Sequence, residues 1–174
     1  MKNHLIIIGI TLLSCITACS AAGERPNVIL VYMDDMGWSD IGTQGAVGFK
    51  TPHLDRLASE GLRCTQFYSV CSVCSASRAG LMTGCYPARV MDRSVLFPDS
   101  TTALHPDENT LADMFASAGY ETHMVGKWHL GHQSEVLPTE QGFQTYLGVP
   151  YSNDMGCDPE MVLAGDAILR TDIT

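Results

Sequence analysis

Runs of apolar residues along this chain predict several short strands. Val28 to Tyr32 is continuously apolar and rich in β-branched residues, a pattern typical of a strand buried on both faces of a sheet. Leu62 to Tyr68 and Tyr120 to Val125 are predicted as further strands. Met161 to Arg170 fits a helix or a core strand about equally well.

Helical signals stand between these runs. Thr51 and Pro52 supply an N-cap and a first-turn proline, and Gly61 ends the segment. A shorter helix is expected from Ser77 to Thr83, and Thr110 caps a third one. The predicted helices therefore cover residues 52–60, 77–83 and 111–118.

The alternation of strand and helix signals predicts an α/β fold, with a mostly parallel sheet sandwiched by helices. Asp34 and Asp35 follow the first predicted strand directly. Ligands of open α/β sheets bind at the carboxyl ends of the strands. The two carboxylates are thus candidates for a site, although taken alone they also fit ordinary turn residues.

Composition and charge narrow the function. The chain has 174 residues, of which 45% are hydrophobic and 17% charged, which fits one folded domain. Its formal charge of −9 argues against binding nucleic acid or an anionic membrane through a broad basic surface. An anionic ligand would therefore have to be captured locally.

The N-terminus predicts export. A short polar start precedes an apolar run from Leu5 to Leu13, which is too short to span a bilayer. Residues 16–19, Ile-Thr-Ala-Cys, resemble the lipobox of bacterial lipoproteins, so residues 1–18 are predicted as the signal peptide, Cys19 as the lipidation site and 19–25 as a tether. A plain secretory peptide cut near Ala21 or Ala22 is the alternative. Both place the mature chain in the periplasm or cell envelope.

The chain contains seven cysteines, so disulfide pairing has to be considered. If Cys15 and Cys19 are removed from the folded part, an odd number remains, so at least one cysteine is unpaired or chemically special. Cys71 and Cys74 form a CxxC pair, which fits a redox dithiol or half of a zinc site. The sequence has no second cysteine pair at the spacing that a structural zinc site needs, whereas a redox function of Cys71 and Cys74 stays open.

The residues after Cys74 extend this pair into a longer motif. Residues 74–78 read Cys-Ser-Ala-Ser-Arg and residues 81–84 read Leu-Met-Thr-Gly. Together they resemble the sulfatase signature, in which a cysteine, any residue, proline or alanine, any residue and arginine precede such a Thr-Gly ending. Residues 33–37, 51–58, 119–131 and 150–154 resemble further sulfatase segments in family order, so the similarity covers nearly all of residues 25–155.

The resemblance implies an alkaline-phosphatase-like fold, with residues 26–174 as the N-terminal part of a sulfatase catalytic domain that continues beyond Thr174. It also implies that the enzyme hydrolyses sulfate esters. Arg78 would orient the nucleophile, Lys127 would bind a sulfate oxygen, His129 would assist proton removal and Ser152 would contact the sulfate. The implied metal ligands, for Ca²⁺ or alternatively Mg²⁺, are Asp34, Asp35 and Cys74.

In this family the cysteine is oxidised to formylglycine, which implies that a maturase acts on Cys74. One hydroxyl of the hydrated aldehyde attacks sulfur, and the other then expels sulfate, so water need not attack the hindered anion. Ala76 stands where proline is usual, and Cys85 where arginine or lysine is usual.

Two other functions stay open. Hydrolysis of phosphate or phosphonate esters occurs in the same superfamily, and an inactive, lipid-anchored fragment could bind sulfated ligands. The expected substrate is a sulfated small molecule or glycan. Because family members are much longer, the 174-residue chain alone is expected to bind metal weakly and to turn over little.

Overall fold

The computed structural model describes residues 25–91, 95–152, 155 and 168–170. Its α-helices are α1 (Pro52–Glu60), α2 (Cys74–Thr83) and α3 (Leu111–Ser117). Its strands are β1 (His123–Lys127), β2 (Thr145–Val149) and β3 (Ile168–Arg170). Four single 3-10 turns complete the elements, at Gly42–Gln44, Pro87–Arg89, Ser134–Val136 and Pro138–Glu140.

The three strands form one sheet in the order β1-β2-β3, in which β1 and β2 are parallel and β3 is antiparallel to β2. The β1–β2 pairing brings the two strands very close at Gly148, where an added Cβ would lie 1.8 Å from the Gly126 carbonyl oxygen. Backbone pairing continues past the strand ends, since the Trp128 amide donates to Val149 (3.0 Å) and the His129 amide to Pro150 (2.9 Å). The residues that follow β1 and β2 therefore lie side by side.

Local sequence explains how the helices begin and end. Thr110 and Asp113 form a capping box, in which each side chain accepts from the other residue's amide, at 3.2 and 2.9 Å. Helix α2 ends at Gly84, whose φ of 67° is in the left-handed region that glycine adopts without strain. Both ends match the sequence predictions for these segments.

Apolar side chains from α2, α3, the sheet and their connecting loops form a single core cluster. Trp128 and Leu130 follow β1 into this core, and Tyr146 comes from β2. The remaining fully or nearly buried members are Ala79, Met82, Met91, Leu96, Leu104, Ala112 and Tyr151. Helix α1 has no buried residue, so the part of the chain that forms the core is the part that also carries the sheet.

Two predicted strands are wrong for the described structure. Residues 28–32 are extended but are assigned to no strand, with Ile29 88% and Val31 70% exposed. Residues 62–68 likewise form no strand, and Leu62 is 92% exposed. A strand requires a neighbouring backbone to complete its hydrogen bonds, and none of the described segments forms a backbone–backbone hydrogen bond with either run.

Two other elements begin at residues that differ from the predicted ones. Helix α2 begins at Cys74 rather than Ser77, and β1 begins at His123 rather than Tyr120. Strand β2 was not predicted. Of the ambiguous segment 161–170, only the last three residues are described, and they form a strand.

The predicted signal peptide and tether, with Cys15 and Cys19, lie almost wholly outside the described residues, as does Cys157. Among the helices of the described ranges, none is both long enough and apolar enough to cross a bilayer.

Candidate active site

A cleft of about 1110 Å³ separates residues 28–35 from β1, β2, α2 and α3. Apolar side chains line much of it, including Leu30, Phe115 and Val125. Five of the predicted site residues also line it, namely Asp34, Asp35, Arg78, Lys127 and Ser152. Residues far apart in the sequence thus meet around one cavity.

Two cationic side chains that line the cleft, those of Lys127 and Arg78, contact the same carboxylate oxygen of Asp34. Lys127, the last residue of β1, donates from Nζ to Asp34 Oδ2 at 2.6 Å. Arg78 Nη2 lies 3.5 Å from the same oxygen. Arg78 Nη1 also donates to the Lys127 carbonyl at 2.6 Å, so the helix, the strand and the Asp34 turn are joined at one point.

These contacts set the charge of the site. The hydrogen bond from Lys127 lowers the pKa of Asp34, and the positive charges of Lys127 and Arg78 act in the same direction against partial burial. The side chains of Lys127 and Arg78 are only 15% and 12% exposed. Two largely buried cations therefore face the cleft with one carboxylate between them, an arrangement suited to attracting a second anion.

The acidic pair fits part of a cation site. Asp34 and Asp35 offer the hard oxygen donors that Ca²⁺ and Mg²⁺ prefer, and Asp35 has a φ of 52° that turns the chain sharply. Among the described residues, however, no three His, Cys, Asp or Glu side chains converge into a metal-binding group. Asp34, Asp35 and Cys74 are thus not gathered as three ligands, and a full shell would need further oxygen donors.

Cys74 is the first residue of α2 and is partly buried. It precedes Arg78 by four residues, so the two share a helix face one turn apart. Cys74 does not itself line the cleft. Within the described ranges the cysteines are free thiols, including Cys71 and Cys74, so the CxxC pair is not a disulfide in this structure.

His129 is completely buried and has a φ of 60°. Its Nε2 lies 2.8 Å from the Leu96 carbonyl oxygen. Because a carbonyl can only accept, Nε2 must carry the proton, and in the neutral ring Nδ1 is then the bare acceptor. That Nδ1 has no partner among the described residues.

Burial is the main cause that lowers the pKa of His129, and the nearby charges of Lys127 and Arg78 add to it, whereas the hydrogen bond to Leu96 opposes it. The imidazole is therefore neutral near pH 7. A neutral ring with a free Nδ1 lone pair can accept a proton, which is the capability predicted for this residue.

The backbone of Leu96 links His129 to the start of α2. Its amide donates to Ser75 Oγ at 3.0 Å, while its carbonyl accepts from His129. Ser75 is fully buried and follows Cys74 directly. The loop containing Leu96 thus holds His129 next to the helical turn that begins with Cys74.

Tyr151 packs against the other side of His129, with ring centroids 5.5 Å apart and the planes nearly perpendicular. Its hydroxyl bonds to His132 Nδ1, and burial raises the pKa of Tyr151 to about 12. His132 is therefore engaged by a phenol. The neighbouring Ser152 lines the cleft, as noted above.

Three contributing residues were missed at the sequence level. Leu96 acts through its backbone, so no side-chain pattern could have identified it. Tyr151 looked like one more aromatic residue in a loop. Tyr32, which contacts Arg78 and Ser77, carried a weak signal, because a tyrosine at the end of an apolar run that is predicted to be buried needs a partner for its hydroxyl.

An α/β scaffold directs a lysine, an arginine and two carboxylates into one cleft, beside a helix that starts with cysteine, and so forms a candidate anion-binding site. The sequence model of the family described as Sulfatase matches residues 26–163. The chain belongs to the sulfatase family. Family members use a formylglycine and a divalent metal ion.

Curated relatives agree. The chain is 46% identical over 142 residues to "Arylsulfatase G" of Rattus norvegicus, covering 79% of this chain and 27% of that protein. It is 46% identical over 149 residues to "Arylsulfatase A" of Homo sapiens, covering 84% and 29%. The chain thus spans less than a third of the length of these relatives.

Solved structures support the same fold. The PsFucS1 sulfatase from Pseudoalteromonas sp. matches with a TM-score of 0.68 and 34% identity, over 88% of this chain and 31% of that chain. BT4656, solved in complex with its substrate D-glucosamine-2-N,6-O-disulfate, matches with a TM-score of 0.61 and 30% identity, over 73% and 24%. The predicted alkaline-phosphatase-like α/β fold is confirmed.

The buried, neutral state of His129 predicts a pH dependence of stability. An unfolded histidine takes up a proton below its ordinary pKa of about 6.5, whereas folded His129 does so only at lower pH, so stability is lost as pH falls below about 6.5. The free energy of unfolding, measured with urea at pH 7.5, 6.5 and 5.5, should fall toward pH 5.5 in the wild type and should fall less in His129→Gln. Gln retains a donor for Leu96.

The control for this measurement is His105→Gln, since the His105 side chain is 66% exposed. It should follow the wild-type pH profile. Identical profiles for all three proteins would show that His129 is not held neutral by the fold.

Proposed function

We propose that this protein hydrolyses sulfate esters in the cleft between residues 28–35 and the sheet. The observation that carries the proposal is the convergence of Lys127 and Arg78 on Asp34, at 2.6 and 3.5 Å, inside a chain of net charge −9. Fixed cations in a confined site stabilise charge that develops on a transferred anionic group. Membership of the sulfatase family specifies that group as sulfate.

Different residues bind the sulfate group, accept the proton and hold the cation. Lys127 and Arg78 bind sulfate oxygens and hold the ester in position, and Ser152 donates a further hydrogen bond. His129 accepts a proton at Nδ1, the atom left without a partner, from the nucleophile at position 74. The cation, for which Ca²⁺ is proposed and Mg²⁺ is the alternative, would supply positive charge at the sulfate, and Asp34, Asp35 and the modified Cys74 would hold it together with further oxygen donors.

Metal binding requires the Asp34 carboxylate to be available. In this structure Lys127 Nζ occupies one of its oxygens. When sulfate enters, its oxygens can replace the carboxylate as the partners of Lys127 and Arg78, which would leave Asp34 available to hold a cation. Substrate and metal would thus support each other's binding. Sulfate would pair with Lys127 and Arg78, and the metal would pair with the Asp34 carboxylate that these two side chains release.

Position 74 is proposed to carry formylglycine. The helix provides the context, because Cys74 stands at the start of α2 with Arg78 on the same face. A maturase that accepts alanine at position 76 and cysteine at position 85 is needed for the conversion. An unmodified thiol at position 74 would make a poor sulfatase.

A sulfated glycan or other sulfated small molecule is the proposed substrate. BT4656, with which this chain shares 30% identity, has a sulfated glucosamine as its substrate. The carboxylates around the cleft and the negative net charge disfavour a long polyanion bound along the surface. The local charge pattern instead suits one sulfate group at a time.

The modification of Cys74 is the first prediction to test. In protein isolated from its native host, the peptide that contains position 74 should be lighter than its cysteine form by the difference between a thiol and an aldehyde. Peptide mass spectrometry with an aldehyde-reactive hydrazide reads this directly. Cys71→Ser should retain the aldehyde, and Cys74→Ala should lack it. An unmodified thiol, or a Cys71–Cys74 disulfide, would instead favour redox chemistry of the CxxC pair.

The reaction class is tested by comparing an aryl sulfate with an aryl phosphate in the protein purified from its native host, with Ca²⁺ present. Hydrolysis of the sulfate should dominate, should be lost on chelation, and should fall by at least about 100-fold in Lys127→Ala, since removing one charged contact to the transition state typically costs that much. His105→Ala is the control with an exposed histidine. Preferential phosphate turnover would assign the protein to phosphoester hydrolysis, and binding without turnover would indicate a ligand-binding relative.

Export and lipidation are proposed from the N-terminal sequence. Cells grown with a labelled fatty acid should incorporate the label into this protein, which should fractionate with the membrane. Cys19→Ala should abolish labelling while Cys15→Ala, as the matched control, retains it. A soluble exported chain that begins near Ala22 or Gly23 would show a plain secretory peptide instead.

A further inference from the structure

We propose that Tyr32 is a positioning residue that couples the acidic turn Asp34–Asp35 to the nucleophile helix α2. The inference rests on the proposed function, because its consequence is the placement of Arg78 and Asp34 for sulfate transfer. Tyr32 makes two separate contacts with consecutive residues of α2, one through its ring and one through its hydroxyl.

The ring supports the guanidinium of Arg78. Arg78 Cζ lies 5.6 Å from the centroid of the Tyr32 ring, within the range of a cation–π interaction. Arg78 Nε is buried and has no hydrogen-bond partner among the described residues. The guanidinium is therefore held by its two Nη contacts and by the ring, so the ring is part of what determines where it points.

The hydroxyl reaches the neighbouring residue. Tyr32 Oη is hydrogen-bonded to Ser77 Oγ, and Ser77 Oγ is bonded in turn to Ser69 Oγ. Ser77 is 9% exposed and immediately precedes Arg78 in the predicted modification motif. A chain of three hydroxyls thus links the segment before α2, α2 itself and the segment that carries the acidic pair.

The contacts of Tyr32 matter because little else holds its segment. Residues 28–32 make no backbone hydrogen bonds to other described segments, and Val28 to Val31 are between 55% and 88% exposed. Tyr32 is two residues before Asp34. Within the part of the chain that the structure describes, the side-chain contacts of Tyr32 and the Asp34–Arg78 ion pair are therefore the interactions that hold the acidic turn against α2.

The two contacts can be separated by substitution in protein purified from its native host, with rates expressed per formylglycine. Tyr32→Phe keeps the ring, so kcat for an aryl sulfate should fall about 2- to 10-fold, the effect of one hydrogen bond. Tyr32→Leu removes both contacts and should lower kcat about 10- to 100-fold and raise the Ca²⁺ concentration needed for half activity.

Tyr68 provides matched controls, because it is 69% exposed and its hydroxyl donates to the exposed side chain of Gln66. Tyr68→Phe and Tyr68→Leu should match the wild type in rate and in Ca²⁺ requirement. Thermal melting of each variant separates loss of positioning from loss of folding.

Double-mutant cycles distinguish positioning from a general structural effect. In an Arg78→Lys background, Tyr32→Leu should cost clearly less than in the wild type, and in a Ser77→Ala background Tyr32→Phe should cost little more, since the partner is already missing. Losses that simply add would overturn the proposal, as would a Tyr32→Leu enzyme with wild-type kcat and Ca²⁺ requirement.

Failure of the proposed function would give a different result, namely a wild type that hydrolyses no sulfate ester. The coupling is then measured by titrating inorganic sulfate calorimetrically into the wild type and the same variants. Weaker sulfate binding by Tyr32→Leu, non-additive with Arg78→Lys, would support the positioning role without any turnover. Equal sulfate affinities for wild type and Tyr32→Leu would overturn it.

Discussion

The sharing of the Asp34 carboxylate by Lys127 and Arg78 is the contact on which the geometry of the site depends. It joins three parts of the chain at one point: the end of β1, the middle of α2 and the turn after residues 28–32. Both cations are largely withdrawn from water, so each needs a charged partner. A carboxylate that satisfies two such partners holds the cleft in a form ready to exchange one anion for another.

The sheet explains why these groups meet. Parallel pairing of β1 with β2, extended by the Trp128 and His129 amides, places the residues after both strands beside each other. The same pairing buries Trp128, whose indole donates to the Val136 carbonyl, and so anchors the segment between Lys127 and His129. Lys127 lines the cleft, whereas His129, whose φ of 60° departs from extended backbone, is buried against Leu96 and Tyr151.

The sequence predicted a feature correctly where interactions between residues close together in the chain are sufficient to produce it. The capping box of α3 and the glycine that ends α2 are local interactions, so their helices could be predicted. The sulfatase resemblance identified the cleft residues Asp34, Asp35, Arg78, Lys127 and Ser152 because the motif preserves the chemistry at each position. Segment 28–32 shows the limit, since an apolar run specifies a strand only when another backbone lies next to it.

By itself, the sequence determined the family, the chemical types of the site residues, the start of α3 and the end of α2, because each of these depends on residue identity at short spacing. Only the tertiary structure decided that the Leu96 carbonyl accepts from His129 and so keeps the ring proton on Nε2, that one Asp34 oxygen serves both cations, and that Tyr32 lies against Arg78 and Ser77. These contacts join residues 33 to 93 positions apart. Distances across a fold follow from strand pairing and packing, which no local pattern of residues encodes.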